Sequence, residues 1–278
     1  MAAPTKLHHA PEIFDTLALP GDFATMRYSL GQLDRAARLQ FRLEPQLRAY
    51  RRWLDLELDI TVYVLTRKHW DEGRIAMPYG VPVRVGRAGL AAPAESDDSV
   101  IRLWAGLDIT LPNSTSSSLR GLAQQGGTAV MADFLSQLLT AEIVVDQIPG
   151  LAGNKHWVRG FMAQLALVSY FDRVEEETLR DLDLFFTQVL AQPRERLAAS
   201  DYHPDVRLGD WLWFQARFYQ GAKVLVEKEG RDVLKRMMKL RNRNDGLLTD
   251  AALLDKYKEV SAWYHASFAA VSTRPGRH

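Results

Sequence analysis

Two carboxylates, Glu142 and Asp146, stand four residues apart inside the run LLTAEIVVDQ. If that run is a helix, the spacing puts both acids on one face, beside Leu138, Leu139, Ile143, Val144 and Val145. An apolar setting drives the pKa values of neighbouring carboxyls apart, so such a pair can serve as proton donor and acceptor. Two carboxylates are also the minimum of a hard-cation site. The plainer outcome is neutralisation of Glu142 by a cation, with Arg159 on the next helix as the expected partner.

A second set is Asp201-Tyr202-His203-Pro204-Asp205, where an imidazole between acids can act as a general base from a loop, or form an ordinary turn. The basic run KRMMKLRNR at 235–243 closes a helix, where cations meet the C-terminal end of the dipole. It therefore reads as a helix end and not as a nucleic-acid surface. No two histidines have metal-ligand spacing apart from the adjacent His8 and His9, which lie in a terminal segment. The serine-hydrolase pattern G-x-S-x-G and the phosphate loop G-x-x-x-x-G-K are both absent. So is cysteine, which excludes disulfides and thiolate chemistry.

The elements that must hold these residues follow from pattern. After an extended start, residues 28–56 read as a long amphipathic helix with Leu30, Leu33, Ala37, Phe41, Leu47, Tyr50 and Leu54 on its apolar face, and with Pro45 as a point of kinking. LDITVYVL at 58–65 is β-branched and apolar, the pattern of a strand inside a sheet. Short strands are expected at 81–85, 89–92 and 100–107, and a polar loop at NSTSSS, 113–118. Helices then follow at 128–147, 156–171, 175–190, 208–229, 231–240 and 250–268. The expected fold is α+β: an N-terminal helix and small mixed sheet in 1–118, a helical part in 119–278, a cleft between them, and one compact unit.

Composition sets the outer bounds. A chain of 278 residues, 47% hydrophobic, can bury a sizeable core. The 35 basic and 34 acidic residues nearly cancel, so no global field attracts nucleic acid or an anionic membrane. No stretch reaches the roughly 18–20 apolar residues of a membrane span, and the first twenty residues lack a signal-peptide core. The expected location is the cytoplasm, and the expected partner a ligand, not nucleic acid or membrane; nothing bears on oligomeric state.

Three segments carry a family resemblance: LLTAEIVVDQ at 138–147, HWVRGFMAQLALVSYF at 156–171 and WFQARFYQGAKVLVEKEG at 213–230. Their order after a mixed sheet resembles the gluzincin metallopeptidases, in which an HExxH helix is followed by a helix bearing a glutamate zinc ligand. The resemblance implies a zincin-like fold. It also implies that the metal is gone. In HExxH two imidazoles at i and i+4 bind zinc, but the matching positions here are Ala141 and Val145, with Glu142 kept in the general-base position. The third ligand is replaced by Arg159 or Gly160, depending on alignment.

By the same resemblance, Tyr219 stands where the family has an oxyanion-stabilising tyrosine, against the alternative of a core tyrosine. Two functions stay open. In one, the old cleft binds a small or peptide-like metabolite and Glu142, helped by Tyr219 or His203, performs metal-independent acid/base chemistry such as cyclisation, isomerisation or elimination. Asp146, Arg159, His156, Trp157 and Trp213 would then contact the ligand, with no cofactor or metal. In the other, the protein is a non-catalytic binding or partner-interaction protein.

Overall fold

The structure is a computed structural model and describes residues 15–75, 77–95, 127–149, 151, 155–174, 176–192, 197–203, 206–230, 232–243 and 248–268. It is α+β, with a small mixed sheet near the N-terminus followed by a mainly helical part. The chain divides into two compact units, Met1–Gln147 and Ile148–His278. The boundary expected at 118/119, the strand at 100–107 and the loop at 113–118 lie outside the described residues.

In the first unit, β1 (Thr16–Leu19), β2 (Ala24–Ser29), β3 (Ile60–Leu65), β4 (Val83–Val85) and β5 (Gly89–Pro93) form one sheet in the order β1-β2-β3-β5-β4. The inner three are parallel, with Ala24 opposite Ile60 and Val62 opposite Leu90, while β1 and β4 add on antiparallel. A parallel pair needs a long crossover, and α1 (Leu33–Leu54) supplies it between β2 and β3. Gly86, at φ +61°, makes the tight turn from β4 to β5. Helix α3 (Gly127–Gln147) packs on β5, β4 and α1.

The first helix begins five residues later than expected, because Tyr28 ends its buried alternation inside β2 (Ala24, Met26, Tyr28). It runs on through Pro45 to Leu54. Its buried face also differs from expectation. Leu30, Leu33, Ala37 and Phe41 are exposed, while Leu39, Leu43, Leu47 and Tyr50 are buried together with Arg35 and Gln46. Those two polar residues meet α3: Arg35 pairs with Asp133, and Gln46 Nε2 donates to Tyr50 Oη (2.9 Å) and to the Gln137 carbonyl (2.8 Å). Burial, only partly offset by Arg35, Arg42 and Arg38, holds the Asp133 carboxyl above its usual range.

In the second unit, α4 (His156–Val174) is buried along nearly its whole length and packs against α6 (Leu208–Glu229). Around this pair lie α5 (Glu176–Ala191), α7 (Val233–Arg243), α8 (Asp250–Lys256) and α9 (Lys258–Phe268). The helix expected at 250–268 is thus two helices, separated at Tyr257, whose φ and ψ are extended. Glycine permits the closest approach: a Cβ on Gly160 would lie 2.6 Å from Phe218 Cε2, and one on Gly221 would lie 2.4 Å from Trp263. The seam of α4 and α6 is tied by a relay, Gln164 Nε2 to Gln215 Oε1 (2.9 Å) and Gln215 Nε2 to Tyr202 Oη (2.9 Å).

Candidate functional site

The residues nominated from sequence fall in both units, Glu142 and Asp146 in the first and the others in the second. In the first unit, Glu142 is half-buried on α3, and Ala141 and Val145, the positions expected from the resemblance to match imidazole ligands, are fully buried and apolar. A face packed to that degree has no donor and no open coordination position for zinc. Asp146, one turn on, accepts from Arg84 Nη1 of β4 at 2.5 Å. Its charge is therefore compensated by a strand cation.

In the second unit, Arg159 donates to His156 Nδ1 one turn earlier on α4. Gly160 lies at the crossing of α4 with α6 and is buried. Trp157 is buried with its ring against Tyr264 (4.8 Å), and Trp213 is buried between Phe214 and Phe268 with Arg217 above its face. Both tryptophans are core. His203 is exposed after a single 3-10 turn at Ala199–Asp201.

Tyr219 is also buried, and its hydroxyl donates to Asp183 Oδ1 on α5 (2.8 Å), with the Leu179 carbonyl as a second acceptor at 3.2 Å. Burial, then the bond to Asp183, raises its pKa above the ordinary phenol value. Lys223, one turn along α6, donates to Asp183 Oδ2 at 2.5 Å. Asp183 therefore bridges a phenol and an ammonium, and this arrangement locks α5 to α6.

A polar constellation that sequence reasoning missed lies at the C-terminal ends of the three parallel strands. Ser29 ends β2, Thr66 and Arg67 follow β3, and Glu95 follows β5 by two residues. Ser29 Oγ accepts from the Thr66 amide (3.0 Å) and lies 2.7 Å from His69 Nδ1 on α2 (Arg67–Glu72). His69 presents its other ring nitrogen, Nε2, toward Glu72. That nitrogen lies 3.9 Å from Glu72 Oε2. Hydroxyl, imidazole and carboxylate follow in the order used to activate a serine nucleophile, but Ser29 is only 1% exposed. No substrate reaches it there, and the set acts as a fastener between β2 and the start of α2.

Beside it, Tyr79 Oη donates to the Leu65 carbonyl (3.2 Å) and accepts from the Glu95 amide (3.1 Å), joining the ends of β3 and β5. The Arg67 guanidinium lies over the Tyr79 ring, 4.7 Å from its centroid. Glu95 is exposed, and Gln32 Nε2 at the start of α1 donates to its Oε1 at 2.9 Å. The rim thus carries the half-buried Arg67, stacked on Tyr79, and the exposed Glu95. The one sequence signal for it was the polar pair Thr66-Arg67 directly after the clearest strand.

Among the described residues, no group of three or more His, Asp or Glu is placed to hold a metal ion, and no helix is long and apolar enough to cross a membrane. No family model, no curated protein and no solved structure matches the chain.

Proposed function

We propose that this chain is a non-catalytic binding protein for a small or peptide-like ligand, taken at the C-terminal rim of the parallel strands. The observation that carries this reading is the placement of the Arg67 guanidinium over the Tyr79 ring, whose hydroxyl accepts from the backbone amide of Glu95, an exposed carboxylate residue at the same strand ends. A guanidinium suits a carboxylate in a planar, two-point geometry, and a carboxylate suits an ammonium. The matching ligand class is a zwitterion: an amino acid or a short peptide. The rim's position supports the reading further, since open α/β sheets take ligands outside the carboxyl ends of their strands.

Acid/base catalysis by Glu142 has less support. Asp146 is held by Arg84, and Tyr219 by Asp183. A relationship to HExxH enzymes remains part of the proposal as one of architecture alone, with Ala141, Val145 and either Arg159 or Gly160 standing where ligands would be. The test is calorimetric titration of the full chain with a panel of amino acids and dipeptides. A binder should emerge whose affinity falls about 10-fold in Arg67→Ala and in Glu95→Ala, with Glu142→Gln unchanged. Loss of binding in Glu142→Gln but not in Arg67→Ala overturns the reading.

A further inference from the structure

The partition of side chains on α1 is inverted at two positions. Arg35 is 4% exposed and faces the core, where Asp133 meets it, while Phe41 is 80% exposed. Burial of an arginine requires a partner of this kind; exposure of a phenylalanine has no such structural reason. Phe41 is not alone. Leu30, in the turn before α1, is 78% exposed, and Leu33 is 47% exposed. Leu33, Ala37 and Phe41 follow at intervals of four along the helix, so they form one exposed apolar stripe. A stripe of that spacing suits the apolar face of a partner helix.

The exposed charges carried by α1 itself are basic with a single exception. Arg38, Arg42, Arg48, Arg51 and Arg52 are exposed on α1, against Asp34. Arg48 is held by Asp22, Arg51 by Glu57, and Arg42 reaches Asp133. Among the described residues, Arg38 and Arg52 have no carboxylate within ion-pair distance. We infer that the outward face of α1 is a docking surface for an acidic amphipathic helix of a partner protein, with Leu33, Ala37 and Phe41 receiving its apolar side chains and Arg38 and Arg52 its carboxylates. A second copy of this chain fits poorly, because a two-fold contact sets like patch on like patch and brings the same arginines together. An anionic lipid surface repels Asp34, which is exposed beside the stripe.

The probe is a labelled synthetic helical peptide of about 20 residues, with Leu and Phe at i, i+4 and i+7 and Glu on the flanks, titrated with the full chain by fluorescence anisotropy. A second peptide carries Lys in place of Glu. The Glu peptide binds; its affinity falls about 10-fold in Phe41→Ser and in the double variant Arg38→Glu, Arg52→Glu, and falls with added salt. The Lys peptide does not bind. Phe41 is exposed, so Phe41→Ser leaves the circular dichroism and melting temperature of the chain unchanged, which separates lost docking from lost folding. The inference is overturned by failure of the Glu peptide to bind, or by equal binding of both peptides. It is equally overturned if the Phe41-dependent event is association with phosphatidylserine vesicles or self-association in sedimentation.

Discussion

Replacing Gly160 with alanine puts a methyl group 2.6 Å from Phe218 Cε2 and 2.8 Å from Tyr202 Cε1. Carbon atoms rest about 3.5–4.0 Å apart, so the seam between α4 and α6 has to open by about 1 Å. The rings have little room to give. Phe218 is fully buried, edge-on to Tyr202 at 5.0 Å, stacked on Phe214 at 6.0 Å and close to Trp263 and Phe268. Overpacking of this kind costs about 1–3 kcal/mol, and closed ring packing puts it at the upper end. Alanine in a helix interior returns about 1 kcal/mol relative to glycine. The expected net loss is about 1–2 kcal/mol, a fall of roughly 0.5–1 M in the urea midpoint, read by far-ultraviolet circular dichroism. Shortening the opposing ring in Gly160→Ala, Phe218→Leu should show favourable coupling of about 1 kcal/mol. The reasoning fails if Gly160→Ala alone raises stability by the helix-propensity amount, because that requires free space at the crossing.

Ser29→Ala removes the acceptor of the Thr66 amide and the hydrogen-bond partner of His69 Nδ1. With His69 buried and Thr66 part-buried, it should cost about 1–3 kcal/mol in thermal or urea unfolding, and an unchanged midpoint would dismiss the fastener between β2 and α2. Tyr219→Phe deprives Asp183 of its phenol donor and should cost about 1 kcal/mol at neutral pH, since Asp183 still holds Lys223. The Tyr219 pKa is raised in the fold above its ordinary 10.0, so its contribution is fully present below that value and is lost as pH rises through the folded value. Stability of the wild type relative to Tyr219→Phe should therefore shrink only in strong alkali; a difference that vanishes below pH 10.0 contradicts the assignment. Metal analysis after incubation with zinc should find no stoichiometric ion held in the first unit, and Glu142→Gln should leave that result unchanged; tight zinc binding that Glu142→Gln abolishes would refute the packed-face description.

Much of the fold was legible because it rests on local pattern. LDITVYVL became β3, and the helices from 127 onward start and stop close to where periodicity, Pro149-Gly150 and Gly230 place them. The failures are non-local. The alternation in 24–29 is short and abuts a strongly helical segment, so the expected helix took in Tyr28 and Ser29, which pair with β3 and β1 as the end of β2. The burial face of α1 misled because apolar residues sit on both sides of the helix, and only Asp133, 98 positions after Arg35, decides which side turns inward. The break at Tyr257 carries no glycine or proline to announce it.

The same physics governs the candidate site. Glu142 and Asp146 share a helix and were visible together, but Arg84, which neutralises Asp146, comes from a strand 62 residues earlier. Ser29 and His69 are 40 residues apart and Arg67 and Glu95 are 28 apart, joined only by the parallel register of β2, β3 and β5. Chemistry built across parallel strands leaves no spacing rule in the sequence.

Calorimetric titration of one identified amino acid or dipeptide ligand into the wild type, Arg67→Ala and Glu142→Gln tests the central claim most directly. The account predicts that Glu142→Gln binds as the wild type does, Arg67→Ala binds about 10-fold more weakly, and the ligand is recovered unchanged. Conversion of the ligand by the wild type but not by Glu142→Gln would contradict it.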